Sequence, residues 1–456
     1  MKNPALPWRF ALLLFFASPV LLRAADFAPL EQLINDELQR NNVPGCAVAI
    51  VSGDKVIFSK GFGIANVDTR QPVTDDMLFR LGSTTKMFTA AALVSLADEG
   101  KVKLDAPIGD YVPGLAPKLA RVNSHQLLTH TAGLADLTFM EGPHDESALG
   151  NNVRSLQDSL AFTGPGAIYS YSNPGYWLAG YVSEAVSGKS YADVVTERVL
   201  KPCGMTRSTF RPTAAMTWPL AVGHGPEGRA EPKVIRPLAD NAAGWPAGQL
   251  FATAPEFARF CVAFMHGGKL DGQTALSPFL IEKLSAPHVE TPGGERHYGY
   301  GLSVKDENGV RWLSHGGSRT GYGSHMRMCP EKKFAVIILC NKTGASLMRV
   351  ADKAVELVLG IAPERPAPPQ KLATTAEEAA TLAGVYTNGR TTIPLTAKDG
   401  KLTTPRGEVK RLGKNRFQLP NAPGSPGASE TTEFMVVTGT DGAQYLIRGG
   451  RAFKKR

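Results

Sequence analysis

Three short groups of residues carry side chains able to act on one another. Ser83-Thr84-Thr85-Lys86 sets a hydroxyl and an amine one helical turn apart, on the same face of any helix they open. A helix start offers unpaired N–H groups and about half a positive charge to a developing anion. A lysine among apolar residues is desolvated, which favours its neutral form and lets it accept the serine proton. Tyr171-Ser172-Asn173 adds a phenol for proton relay and an amide for a substrate carbonyl or for Lys86. His315-Gly316-Gly317-Ser318 puts two glycines where a ligand backbone can come close. A main-chain N–H there could join that of Ser83 in an oxyanion hole, one such donor being worth roughly 2.7–4 kcal/mol of barrier. Each group also has a plainer reading. Ser83 could only cap a helix while Lys86 reaches the surface. Tyr171 could pack in a turn. His315 could sit on a surface bulge.

Imitators of these groups exist. Ser52-Gly53-Asp54-Lys55 repeats the first spacing on a polar turn, and Tyr386-Thr387-Asn388 repeats the second. Several other chemistries leave no trace. Gly316-Gly317-Ser318-Arg319-Thr320 fails the G-x-S-x-G pattern at its last position. There is no H-E-x-x-H, no clustered histidine pair for a metal and no G-x-x-x-x-G-K-[ST] phosphate loop. The remaining histidines (His125, His130, His144, His224, His266, His288, His297 and His325) are scattered and read as structural.

The elements that must position these groups are legible in part. Gly45 to Val51 and Val56 to Phe58 flank the turn Ser52-Gly53-Asp54, which predicts a hairpin. Ser83 to Ala97 reads as a helix that is apolar nearly all round, capped near Gly100, and so belongs in the middle of the molecule. Asn173-Pro174-Gly175 predicts a loop before an apolar helix from Tyr176 to Val186. A helical and loop-rich middle runs from about 105 to 290. Strands follow at Val310 to Ser314, Ser324 to Cys329 and Phe334 to Cys340, then a helix from Ala345 to Leu359. That order predicts an α/β (α+β) domain over 26–362, its sheet drawn from both ends. Four prolines between Pro363 and Pro369 predict a stiff linker over 363–374. Residues 375–456 turn β-like, with Asp399-Gly400 and Asp441-Gly442 between alternating runs, and read as a small antiparallel, barrel-like domain.

Composition fits an exported globular protein. The chain has 456 residues, 43% hydrophobic and 20% charged, with a formal charge of +9 that is dispersed rather than gathered in a stripe. No nucleic-acid partner is expected. Lys2 and Arg9 precede an apolar run from Phe10 to Leu22, with Ala24 and Ala25 beyond it, so residues 1–25 read as a signal peptide. Leu22 or Arg23 stands where a small residue is preferred, so an uncleaved anchor is the alternative. After cleavage no stretch approaches membrane length. The five cysteines (Cys46, Cys203, Cys261, Cys329, Cys340) are widely spaced and read as small buried hydrophobes, with one disulfide left open.

Taken together, S-x-x-K, Y-x-N and H-G-G resemble the motif set of the serine β-lactamase and penicillin-binding-protein superfamily. Tyrosine at the head of the second motif is similar to the branch holding class C β-lactamases, D-alanyl-D-alanine carboxypeptidases, D-aminopeptidases and family VIII esterases. Pro44 to Val48, Gly61 to Asn66, Leu104 to Pro107, Leu127 to Leu134 and Tyr298 to Gly301 agree, so the resemblance spans about 30–360. It implies a transpeptidase-like antiparallel sheet flanked by helices, and acyl-enzyme chemistry with no metal or organic cofactor. By the resemblance, Ser83 is the nucleophile, Lys86 and Tyr171 share the base role, and Asn173 orients substrate and Lys86. The resemblance also makes the backbone N–H groups of Ser83 and Ser318 the oxyanion donors, and His130 structural. The expected substrate is a small molecule or peptide (a D-amino-acid peptide, a β-lactam, a short-chain ester, or peptidoglycan), met in the periplasm or outside the cell. His315-Gly316-Gly317 departs from K-T-G and removes the lysine and threonine that would grip a β-lactam carboxylate, which weighs toward esterase or D-peptidase activity. The alternative is a penicillin-binding or wall-sensing protein that acylates with little turnover.

Overall fold

The structure is a computed structural model that describes residues 26–138, 141–294, 296–307, 309–362, 372–420 and 432–456. The expected signal peptide at 1–25 and most of the proline-rich linker, 363–371, lie outside the described residues.

Two antiparallel sheets organise the chain. The first has nine strands, with Phe334–Cys340 beside Gly45–Ser52 near its centre, so the two ends of the domain meet in one sheet. Apart from the terminal Ser52 neither strand has a polar residue, unlike an antiparallel strand with one wet face, and every residue from Phe334 to Cys340 is buried. The cause is cover on both sides. Ala47, Ala49, Val51, Ala335, Ile337 and Leu339 face the main core, against the helix Ala254–Met265. Cys46, Val48, Ile50, Phe334, Val336 and Ile338 face the opposite way, onto helices Ala28–Arg40 and Met348–Leu359. Alternation of side chains along a strand divides one hydrophobic run between two layers. All five cysteines are buried and free.

The helix Lys86–Asp98 runs through the main core, entered by a tight 3-10 turn over Gly82–Thr85. Every residue from Lys86 to Val94 is buried, as an all-round apolar helix requires. It packs against the helix Asn173–Ser187.

Several boundaries differ from expectation. The strand beginning at Val310 runs on to Arg319 and carries His315 to Ser318 within it. Gly316, Gly317 and Ser318 pair with His325, Ser324 and Gly323, so the ladder continues where glycines suggested a break. Asn173-Pro174-Gly175 is the first turn of its helix rather than a loop, because a proline there gives up an N–H that has no helical partner anyway. The closing helix begins at Met348, three residues late, after Leu347 turns through a left-handed conformation.

The second sheet, also nine-stranded, is a barrel-like C-terminal domain. Its first strand, Gly384–Thr387, pairs with its last, Arg451–Lys455. The two ends of the strand order, Gly407–Glu408 and Lys410–Arg411, are joined through Val409 alone, so the sheet must curl round on itself. Ile393, Leu395, Leu402, Phe417, Phe434, Leu446 and Phe453 fill its interior. Asp399 and Gly400 form the tight turn between Thr392–Lys398 and Lys401–Thr404, both at positive φ.

Candidate active site

The turn bearing Ser83 is pinned to the sheet. Thr84 Oγ1 donates to the Leu81 carbonyl at 2.8 Å and lies 3.1 Å from Ser324 Oγ, which donates to the same carbonyl at 2.6 Å. Backbone meets backbone here. A Cβ added at Gly317 would lie 1.9 Å from the Leu81 oxygen, and one at Gly82, which sits at φ +55°, would lie 2.7 Å from Ser318 N. Glycine at both places lets the strand and the turn approach closely enough to bring Ser318 beside Ser83. On its other edge the strand pairs with Ser303–Glu307 only as far as Ser314, which leaves the stretch from His315 onward without that ladder neighbour.

Lys86 lies one turn beyond Ser83 and is wholly buried rather than reaching the surface. Its Nζ stands 3.2 Å from Ser83 Oγ, 2.8 Å from Asn173 Oδ1 and 2.6 Å from the Ala247 carbonyl oxygen. Burial pushes its pKa well below the ordinary lysine value; Asp136 opposes this, while Arg451 and Arg319 add to it. The three partners fit a neutral amine. Two are carbonyl oxygens, which only accept, and they use both N–H donors. In the neutral amine the lone pair is left for the Ser83 hydroxyl, whereas in the charged form Nζ donates to Ser83 Oγ as well.

Tyr171 completes the group. Ser83 is placed to hydrogen-bond its phenol, and Lys86 Nζ lies 4.8 Å from the ring centre. Burial raises the pKa of the phenol, outweighing the Ser83 contact and the Arg451 charge, so it stays protonated. His130 supports it: its ring centre lies 4.2 Å from that of Tyr171 at a tilt of 35°, and its Nδ1 accepts the Ser172 N–H at 3.1 Å. Burial keeps His130 neutral.

Asn173 is oriented by a residue the motifs did not point to. Asp136 Oδ1 accepts both the Asn173 backbone N–H at 2.8 Å and its side-chain Nδ2 at 3.0 Å. A carboxylate only accepts, so the amide must turn its NH2 to Asp136 and its oxygen to Lys86.

His315 is buried rather than on a surface bulge. Its Nδ1 donates to the Gly316 carbonyl at 2.6 Å and its Nε2 accepts from the Tyr298 hydroxyl at 2.9 Å. Burial pushes its pKa down to about 3, so this position carries no positive charge near neutral pH. Farther along the strand, Arg319 is buried, its pKa lowered to about 10 by burial and by Arg80.

All eight residues singled out in the sequence converge. Ser83, Tyr171, Asn173, His315, Gly316, Gly317 and Ser318 line one cleft of about 570 Å³, with Lys86 bonded from beneath. The imitators stand elsewhere. Lys55 is exposed on its turn, and Tyr386 is buried in the barrel, donating to the Leu382 carbonyl. Three residues at or behind the cleft had no site role in the sequence reading: Asp136, Arg319 and Arg451. Asp136 lies just beyond the noted stretch Leu127 to Leu134, whereas Arg451 has no local signal at all. Among the described residues no cluster of three or more histidine, cysteine, aspartate or glutamate side chains could hold a metal, and no helix is long and apolar enough to cross a membrane.

A serine on a tight turn pinned to an antiparallel sheet, with a buried lysine one turn on and a tyrosine beside it, defines a class of fold. The chain belongs to the beta-lactamase family, whose model matches residues 30–360. It is 30% identical over 378 residues to penicillin-binding protein 4 of Amycolatopsis lactamdurans, covering 79% of this chain and 97% of that protein. Over 321 residues it is 26% identical to protein flp of Staphylococcus aureus strain N315, and there it spans 68% of this chain but 62% of the relative. Among solved structures, the octameric penicillin-binding protein homologue from Pyrococcus abyssi matches with a TM-score of 0.67 at 27% identity, covering 94% of this chain and all of that one. SurE matches in fold with a TM-score of 0.74 at 23% identity, covering 94% and 98% of the two chains.

Proposed function

We propose that this protein is an exported serine hydrolase that cleaves an ester or a D-amino-acid amide through a covalent acyl-enzyme on Ser83. The observation that carries this reading is the triple contact of Lys86 Nζ, which leaves its lone pair to the Ser83 hydroxyl. Lys86 takes the hydroxyl proton as Oγ attacks the substrate carbonyl. The backbone N–H groups of Ser83 and Ser318 receive the oxyanion. The protonated Tyr171 phenol passes a proton to the leaving group and is reprotonated from Lys86, so each proton is accounted for. Water then hydrolyses the ester on Ser83, the same groups acting in reverse.

Substrate preference follows from what stands on the strand beside the nucleophile. His315 is neutral and both its ring nitrogens are engaged, so it does not replace a lysine that grips a β-lactam carboxylate. That weighs against efficient β-lactam turnover and for esters or D-peptides. Export is inferred from the signal-like pattern of residues 1–25, and a tether to the barrel from the prolines of 363–374.

A hydrolysis panel tests the reading. Purified protein is offered p-nitrophenyl short-chain esters, D-alanine p-nitroanilide, D-Ala-D-Ala peptides and nitrocefin. Turnover of esters or D-alanyl substrates above nitrocefin, abolished by Ser83→Ala, is expected. Full turnover by Ser83→Ala would overturn it. A second reading has one specific support, the name of the Amycolatopsis relative, a penicillin-binding protein. In that reading penicillin acylates Ser83 and is released slowly, so a stable adduct without turnover would favour it.

A further inference from the structure

The tip of one hairpin in the C-terminal barrel is built into the cleft. Strands Gln444–Arg448 and Arg451–Lys455 turn through Gly449 and Gly450, both at positive φ. Three consecutive residues then grip the segment that carries Tyr171. The Gly450 carbonyl accepts the Tyr171 N–H at 2.9 Å, and the Ala452 N–H donates to Ser170 Oγ at 3.1 Å. Between them, Arg451 reaches Asp136, its Nε and one terminal nitrogen 2.9 and 2.7 Å from Oδ2. The other terminal nitrogen donates to the Gly449 carbonyl at 2.6 Å, and the guanidinium lies 4.6 Å from the centre of the Tyr171 ring.

Asp136 is therefore shared. One oxygen takes both donors of Asn173 and the other takes Arg451, which completes an unbroken chain from Arg451 through Asp136, Asn173 and Lys86 to Ser83. We propose that Arg451 is a positioning residue for the acylation site, supplied by the barrel, which holds Asp136 so that Asn173 presents its oxygen to Lys86 and which balances the Asp136 charge beneath the cleft. This rests on the reading of Ser83 as nucleophile and Lys86 as base. Three of the five N–H donors of Arg451 go to Asp136 and to its own turn, which fixes the guanidinium in place as a holder of the site.

The charge part of this role has a definite sign. Lys86 is faced by Asp136 and Arg451 across Asn173, by Tyr171 and Tyr176, by neutral His130, and by His315 and Arg319 on the strand. Arg451 and Arg319 are the cations that disfavour a charged Lys86, and Asp136 is the anion that favours it. Removing the Arg451 charge leaves Asp136 uncompensated and makes Lys86 easier to protonate. The pH below which Lys86 fails as a base must then rise.

The test follows the rate of Ser83 labelling by a fluorophosphonate across pH, which needs no substrate and no turnover, on the full chain. Arg451→Met is expected to move the acidic limb up by about one pH unit, a roughly tenfold loss at a fixed pH on that limb. Arg451→Lys, which keeps the charge, should leave the limb near its original place. Arg451→Met with Asp136→Asn, which removes both charges, should bring it back down. Thermal unfolding of each variant shows whether it folds, and the Arg451→Lys comparison stands even where Arg451→Met does not. A wild-type limb position in Arg451→Met, or a shift in Arg451→Lys as large as that in Arg451→Met, overturns the proposal. A wild-type protein that does not label at Ser83 overturns the underlying reading of the site instead.

Discussion

At the residue scale the chemistry depends on which protonation states Lys86, Tyr171 and His315 hold. Lys86 sits with its pKa well below the lysine range because it is buried, and it acts only when neutral. The labelling or hydrolysis rate should therefore rise as pH climbs through that lowered pKa and fall toward acid. Lys86→Met should lose the limb and about 10²- to 10⁴-fold of the rate, the usual range for a general base. His315 titrates near pH 3, so His315→Gln should leave the limb where it is, whatever it does to the plateau. A limb that vanished in His315→Gln and survived in Lys86→Met would reverse the assignment. Ser83, Lys86, Tyr171 and Asn173 were legible because hydroxyl, amine, phenol and amide each sit in a short local pattern whose order along the chain carries information. Asp136 was not. A lone aspartate in a loop gains meaning only when its two oxygens are seen to serve two distant partners.

At the scale of elements the contact between the nucleophile turn and the strand Val310–Arg319 governs the geometry. It is a backbone contact, and the two glycines that permit it could be read from the sequence as a close approach without showing what approaches. Gly317→Ala puts a methyl group 1.9 Å from the Leu81 carbonyl oxygen, which has little room to yield. The variant should lose about 1–3 kcal/mol of stability, in the range of other overpacked sites, as read by denaturant unfolding. It should also label slowly at every pH, because Ser318 moves away from Ser83, whereas Gly316→Ala, with only one neighbouring atom near 4 Å, should be mild in both measurements. Equal effects at the two glycines would refute the contact. The apolar runs of Gly45–Ser52 and Phe334–Cys340 were visible as strands, and the long helix was visible as central. The strand through His315 was cut short by reading glycine as a terminator, and the helix at Asn173 was entered late by reading Asn-Pro-Gly as a loop. At the strand the ladder with Ser324 overrules local preference, and at the helix proline suits the first turn while Asp136 accepts the free Asn173 N–H.

At the scale of the whole molecule, a hydrolase-like fold and a barrel share one cleft. The likeness to the Pyrococcus homologue covers 94% of this chain, so it extends beyond the 30–360 match into the barrel. The sequence revealed the barrel's strands and turns but nothing of where it docks, since a Gly-Gly-Arg turn looks the same wherever it points. Docking is by hydrogen bonds from Thr440 to Ala167, from Ala452 to Ser170 and from Tyr171 to Gly450, with the Tyr445 hydroxyl 2.6 Å from that of Thr163. The Tyr171 amide should accordingly exchange its hydrogen as slowly as the barrel strands Gln444–Arg448 and Arg451–Lys455, not at the rate of an open loop. Fast exchange at Tyr171 beside protected barrel strands would mean that the two parts are not held together there.

The most direct measurement of the central claim is the mass and position of the covalent intermediate. An acid-quenched reaction with a p-nitrophenyl ester, digested and mapped by mass spectrometry, should place the acyl group on Ser83. The adduct should be absent from Ser83→Ala and should form slowly in Lys86→Met. An acyl group on any other residue, or undiminished ester hydrolysis by Ser83→Ala, would contradict the account.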